Sequence, residues 1–258
     1  MSKQKIVIKV GSAVLTKNGK ISIERIQNLV EFLANLTSKY KVILVTSGAI
    51  ATGHTILPSI SNKTTAGKQA LAALGQAALI NKYQKEFKKF DITVAQILLT
   101  AEDFDSIKRS ENAKAAVNTL LDNNIVPIIN ENDSVIVDEI LRGDNDQLSA
   151  QVAHYFDASM LVILSDIRGY YDKDPNKYQD AKLRKIVTNI EENELSADYN
   201  PNDAFATGGI VTKLKAADFL LKHGKKMFLS SGFDLHAAKM FLMDGEQSEG
   251  TLFDGVKS

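Results

Sequence analysis

The chain has 258 residues, 44% of them hydrophobic and 24% charged, which suits one large α/β domain with a sizeable core. Its 31 Lys and Arg balance 31 Asp and Glu, so it lacks the basic excess of a phosphate-neutralising nucleic-acid binder, and any anion site must be local. It has no cysteine, which excludes disulfides, thiolate metal sites and cysteine nucleophiles and fits a reducing cytoplasm.

Short apolar runs alternate with helical patterns from end to end. Ile6, Val7 and Ile8 read as a buried strand. Ile23, Ile26, Leu29, Val30, Leu33 and Leu36 recur at helical spacing, with Ser22 placed to cap the start. Residues 41–46 read as the next strand, 66–89 as a long helix and 92–99 as another strand. Ala113, Ala116, Val117, Leu120 and Leu121 mark a helix, 125–129 a strand, and a helix follows Asp144. A strand over 160–164, a helix over 213–222 and a last core strand over 226–229 complete the series. The polar stretch 172–202, with Pro175 and Pro201, is expected to hold irregular structure or a small hairpin over a site. Lys9 interrupts the N-terminal apolar stretch, so no signal peptide is expected, and no apolar run reaches membrane-spanning length. The alternation predicts a mostly parallel sheet covered on both faces, with ligands beyond the carboxyl ends of its strands.

Polar clusters fall on those strand ends. The first strand runs into Lys9, Gly11 and Ser12, the second into Ser47, Gly48 and Ala49, the fourth into Asn130, Glu131, Asn132 and Asp133, and the fifth into Ser165 and Asp166. A lysine followed by glycine and serine can offer an ammonium and bare backbone amides to a phosphate; taken singly it is equally an ordinary strand-end turn. Gly143, Asp144, Asn145 and Asp146 form a second acidic group, able to hold an ammonium-bearing substrate, orient lysines or reach a phosphate-bound metal, or to be a solvated loop. It does not fit a calcium loop. Thr207, Gly208, Gly209, Ile210, Val211, Thr212 and Lys213 lead into a helix, as a phosphate cradle does. No P-loop, dinucleotide fingerprint or hydrolase elbow is present. His54, His154, His223 and His236 form no metal-binding spacing and read as structural or surface residues.

Together with Leu74, Gly75 and Gln76, and with Gly250 to Phe253 near the end, these blocks resemble, in order and spacing, the signature of the glutamate 5-kinase family within the amino acid kinases. The resemblance implies a central, mostly parallel sheet sandwiched between helical layers. It also implies ATP-dependent phosphorylation of the side-chain carboxylate of L-glutamate, the first step of proline biosynthesis, with proline as a possible feedback inhibitor. It implies a cytoplasmic homo-oligomer without nucleic-acid or membrane partners. Ser47, Gly48, Ala49, Asp133 and Asn145 would then bind glutamate. Lys9, Gly11, Ser12, Ser165, Asp166 and residues 207–213 would bind ATP. Lys9 and Lys213 would flank the transferred phosphoryl group, with Asp146 holding them. Magnesium would arrive with the nucleotide, and no protein ligand is assigned to it. Ser165 stands where many relatives have threonine, Ala206 where glycine is common, and Ile210 where methionine is frequent. The PUA domain of many bacterial relatives is not expected: residues 1–258 read as one kinase domain, its N-terminal part mainly for glutamate and its C-terminal part mainly for ATP. The alternatives are a kinase of the same fold acting on another small carboxylate or phosphate substrate, or a non-catalytic amino-acid or nucleotide sensor.

Overall fold

The computed structural model describes residues 3–135, 145–175, 177–195 and 209–255. β1 (Lys5–Val10) leads into the one-turn helix α1 (Ser12–Leu15), the hairpin strands β2 (Thr16–Lys17) and β3 (Lys20–Ile21), and α2 (Ile23–Leu36). β4 (Lys41–Val45) precedes α3 (Ala49–Ile56) and α4 (Thr65–Phe87). β5 (Val94–Leu99) precedes α5 (Glu102–Asp105) and α6 (Ile107–Asp122), and β6 (Val126–Glu131) precedes α7 (Asp146–Tyr155). The remainder comprises β7 (Met160–Ser165), β8 (Ile186–Val187), α8 (Glu192–Leu195), α9 (Gly209–Lys222), β9 (Lys226–Ser231), α10 (His236–Lys239) and β10 (Thr251–Phe253).

Eight strands form one sheet in the order β5-β6-β4-β1-β7-β9-β10-β8. Every pairing from β5 across to β9 is parallel, and β10 runs antiparallel to β9. The chain leaves β1 for β4 on one side and reaches β7 on the other. The crevice at the carboxyl end of β1 is therefore the topological switch point where open parallel sheets place ligands.

Alternation along the strands divides the core into two layers. Ile6, Ile8 and Val10 pack with Leu29, Val30 and Leu33 of α2 and Leu79 and Tyr83 of α4. Val7 faces the other way, into a core shared with Leu148 and Val152 of α7 and Leu214 and Ala217 of α9. Lys9 falls on the Val7 face by the same two-residue period, so its side chain is directed to the layer of α7 and α9. The Ser22 cap forms as expected, its hydroxyl accepting from the Arg25 N–H at 3.4 Å.

Three features depart from the sequence reading. α9 starts at Gly209, so residues 209–213 are its first turn rather than a loop ahead of it. The short strands β8 and β10 extend the sheet beyond β9; runs of two and three residues leave no legible period. A β2–β3 hairpin turns at Asn18 and Gly19, both with positive φ, the Asn-Gly signal of a tight hairpin turn. Among the described residues, Leu183 of the 172–202 stretch forms an antiparallel bridge with Tyr171 just before it.

α3 and α4 cross at two glycines. A Cβ on Gly75 would lie 1.8 Å from the Ala49 carbonyl oxygen, and one on Gly53 would lie 1.9 Å from that of Leu71. Gly75→Ala is therefore expected to lower stability by about 1–3 kcal/mol, seen by calorimetry as a thermal midpoint several degrees lower. An unchanged midpoint would mean that the two helices separate without penalty.

Candidate active site

The central feature is a buried ionic trio. Asp146, the first residue of α7, is fully buried. Its Oδ1 lies 2.6 Å from Lys9 Nζ and its Oδ2 3.1 Å from Lys213 Nζ. Lys9 and Lys213 are themselves 2% and 6% exposed, so three formal charges sit where isolated ions are not tolerated. Thr212 Oγ1 donates to the same Oδ2 at 3.0 Å, and Lys213 Nζ donates to the Gly209 carbonyl at 2.7 Å. Residues four apart on a helix lie one above the other, which is why a lysine in the first turn of α9 can fold back to the opening residue.

Two ammonium groups share one carboxylate, leaving the trio with an excess positive charge that an incoming anion can neutralise. A glycine stands beside each ammonium group. A Cβ at Gly11 would stand 3.7 Å from Lys9 Nζ, and one at Gly209 would stand 4.0 Å from Lys213 Nζ. The Gly11 N–H also donates, at 3.4 Å, to the Leu164 carbonyl of β7, which fixes the turn after β1 against the neighbouring strand.

Beside the trio lies a pocket of about 340 Å³. Ser47, Gly48, Ala49, Asp133 and Asn145 all line it, together with Ser12 from the turn after β1. Gly48 caps α3 with φ of 97°, a left-handed conformation that glycine adopts without strain. Asn145 joins three elements: its Nδ2 donates at 2.7 Å to the Thr46 carbonyl after β4 and at 2.7 Å to Asn130 Oδ1 on β6. Asn130 Oδ1 also accepts from the Glu131 N–H at 2.9 Å. Gln76, noted in the sequence without a role, donates to the Glu131 carbonyl at 3.1 Å. Below the pocket, Thr46 and Tyr83 hydroxyls lie 2.8 Å apart, and burial pushes the Tyr83 hydroxyl far above the usual tyrosine range.

The pocket also includes residues the sequence reading did not assign: His54, Asn62, Lys68, Asn130, Glu131 and Gly19. His54 read as structural or surface from its spacing. It lies one turn into α3 from Ile50, on the pocket side, and that placement follows from the α3–α4 crossing rather than from any motif. Lys68 lies in the first turn of α4, where a lysine opposes the helix dipole; that mismatch was the available signal.

The nucleotide-side assignments are divided. Ser165 and Asp166 sit at the carboxyl end of β7, their side chains 2.9 Å apart, with Ser165 buried and Asp166 exposed. The neighbouring β9 ends beside them, where the Gly232 N–H donates to the Ser165 carbonyl at 2.6 Å. Ser231 Oγ there accepts from the N–H groups of Phe233 and Asp234, each at 3.2 Å. Ile210 is buried in the core and Val211 packs against it, so their side chains serve the fold and only their backbone groups are left for a ligand. Thr207 and Gly208, like Gly143 and Asp144, lie outside the described residues.

Comparison with known proteins identifies the family. The model of the amino acid kinase family matches residues 4–231. Glutamate 5-kinase of Wolinella succinogenes is 51% identical over 255 residues, covering 97% of each chain. Glutamate 5-kinase of Leishmania donovani is 49% identical over 252 residues, covering 98% of this chain and 95% of its own. UMP kinase from Ureaplasma parvum superimposes with a TM-score of 0.68 at 15% identity, over 98% of this chain and 100% of that one. Carbamate kinase from Giardia lamblia bound to AMP-PNP gives 0.66 at 16% identity over 99% of both chains; these two likenesses are of fold. On the match of its own residues 4–231 and on its near-complete alignment with relatives about half identical, the chain belongs to the amino acid kinase family, in its glutamate 5-kinase group.

Proposed function

We propose that this chain transfers the terminal phosphoryl group of ATP to the side-chain carboxylate of L-glutamate, giving glutamate 5-phosphate and ADP, as the cytoplasmic first step of proline biosynthesis. The observation that carries this reading is the Lys9–Asp146–Lys213 trio opening beside a pocket whose ionisable lining residues have both signs, Lys68 with Glu131 and Asp133. A zwitterionic dicarboxylate needs both signs.

In the proposed reaction the carboxylate oxygen attacks the terminal phosphorus in line. A new oxygen–phosphorus bond forms, the bond to the bridging oxygen breaks, and ADP leaves with that electron pair. A glutamate side chain has a reference pKa of about 4.3, so it is already ionised and no general base is required. The difficulty is the approach of one anion to another. Lys9 and Lys213 offset that repulsion and stabilise charge on the equatorial oxygens of the transition state. Asp146 is a positioning residue: its two oxygens are engaged by Lys9, Lys213 and Thr212, so it holds the ammonium groups rather than a metal. Magnesium arriving with the nucleotide would add counter-charge on its phosphates. Backbone N–H groups in the first turn of α9, beside Lys213, would add donors; that of Gly11 is held by the Leu164 carbonyl. In the pocket, Asn145 has committed its amide hydrogens to Thr46 and Asn130, leaving its oxygen as the acceptor it can offer to an ammonium group beside Asp133.

Proline, also an amino-acid zwitterion, would be accepted by the same paired charges, which supports feedback inhibition at this pocket. Assembly into a homo-oligomer is supported by the edge strand β5, which leaves Leu98 exposed, and by Ile107 at the start of α6, which is 77% exposed.

Lys9→Met and Lys213→Met should each lower turnover by roughly 10²-fold or more while ATP binding weakens far less. The check is trapping of the acyl phosphate with hydroxylamine beside nucleotide titration; turnover at the parent rate in both variants rules the assignment out. Asp133→Ala should chiefly raise the Michaelis constant for glutamate, and a defect confined to ATP would remove it from the substrate pocket. Asp146→Asn removes the carboxylate that two buried ammonium groups share and should cost about 3–5 kcal/mol of stability. Adding Lys9→Met should restore part of that loss in denaturant unfolding, because the repulsion disappears with one of the cations.

A further inference from the structure

A second cavity, of about 350 Å³, lies at the amino-terminal edge of the sheet, opposite the site described above. Lys3, Lys5, Lys41 and Lys225 line it, and Asp157 is the acid among the described residues that does so. Lys5 and Lys41 open β1 and β4, and Lys225 immediately precedes β9. Lys114 stands beside the cavity, 2.5 Å from Asp157, and Lys41 reaches Asp122 at 2.6 Å. Five ammonium groups thus meet two carboxylates in a chain whose formal net charge is zero. Three of the five are held by uncharged acceptors: Lys3 Nζ donates to the Thr37 carbonyl at 2.6 Å, Lys5 Nζ to Asn118 Oδ1 at 3.2 Å, and Lys225 Nζ to the Ala158 carbonyl at 3.1 Å. Burial, reinforced by Lys114, Lys41 and Lys225, holds Lys5 below the usual lysine range against the pull of Asp157. A cluster of this kind is stabilised by whatever anion enters it.

The cavity also touches the far ends of the three elements that carry the buried trio. β1 runs from Lys5 to Lys9. α7 begins at Asp146, and the chain leaving it supplies Asp157 and Ala158. α9 carries Lys213 in its first turn, and the chain leaving it supplies Lys225. A rise of roughly 3.3 Å per strand residue and 1.5 Å per helix residue puts the two ends of each element about 13 to 18 Å apart. Val7 of β1, Leu148 to Ala153 of α7 and Ile210 to Leu220 of α9 contribute to one core, and close packing of this kind transmits small displacements instead of absorbing them.

We propose that this cavity is a regulatory anion site for inorganic phosphate or a small phosphomonoester, which draws together the far ends of β1, α7 and α9 and thereby adjusts the separation of Lys9, Asp146 and Lys213. The lining cations are all lysines, compact point charges suited to a tetrahedral phosphate, whereas two-point capture of a planar carboxylate favours the guanidinium fork. Binding at the cavity does not depend on the kinase reading; the effect on rate does.

The test is calorimetric titration of inorganic phosphate, and separately of glycerol 3-phosphate, at constant ionic strength into the chain already saturated with AMP-PNP and glutamate. One further phosphate site is expected. Its affinity should fall about tenfold or more in Lys5→Gln/Lys225→Gln, which removes two charge-assisted donors. Asn118→Asp gives Lys5 a carboxylate partner at nearly constant shape. It should weaken phosphate severalfold as well, and it keeps the test open where the double variant does not fold. Binding of phosphate alone assigns the site to the free ion, and binding of both probes assigns it to phosphomonoesters. No heat beyond that of the occupied active site, or an affinity unchanged in Asn118→Asp, overturns the site. Failure of AMP-PNP to bind would count against the kinase reading and leaves the phosphate titration interpretable. A turnover number that phosphate does not alter at saturating ATP and glutamate overturns the coupling.

Discussion

The carboxylate of Asp146 lies between two ammonium groups from opposite ends of the chain, and much of the surrounding structure follows from keeping those charges buried and in register. Removing ions from water is costly, and a pair of like charges at close range adds to that cost. The molecule meets it with a shared counter-ion, the Thr212 hydroxyl and the Gly209 carbonyl, all within hydrogen-bond reach. What remains is a surplus of positive charge in a place with little water. There a phosphate tail is attracted more strongly than it would be at an exposed lysine, because the surrounding medium screens less.

That arrangement requires three elements to end at one point. β1 supplies Lys9 only because its alternation turns position 9 to the same face as Val7, and that face is the one covered by α7 and α9. The parallel order of β4, β1 and β7 then brings the turns after them to one rim. Asn145 binds the ends of β4 and β6 to the start of α7, so the residue next to Asp146 also frames the pocket beside it. The pocket and the ionic trio are thus built on adjacent positions of one helix start and cannot drift independently.

Much of this was legible in the sequence. The apolar runs of β1, β4, β6, β7 and β9 are long enough to read as buried strands, and the polar residues that follow each of them stand out against those runs. The first turn of α9 was not legible as helix, because a glycine and three β-branched residues, Ile210, Val211 and Thr212, argue for a loop there; packing of Ile210 and Leu214 into the core outweighs that local preference. Asn18–Gly19 carried a hairpin signal, yet its flanking strands of two residues are too short to show alternation. His54 and Lys68 became part of the pocket only through the meeting of α3 and α4, a long-range event that residue spacing does not encode. The five positions assigned to the amino acid fall in one pocket, while Ile210 and Val211, assigned to the nucleotide, pack their side chains into the core.

The glycine contact between α3 and α4 has a further consequence for how the pocket admits its ligand. With backbone touching backbone at Gly53 and Gly75, the wall bearing Ala49 and His54 and the wall bearing Lys68 behave as one rigid jaw. Any widening would then fall to the remaining lip, where the small hairpin places Gly19. The speed of that lip, rather than any parting of the helices, would set how quickly amino acids are exchanged.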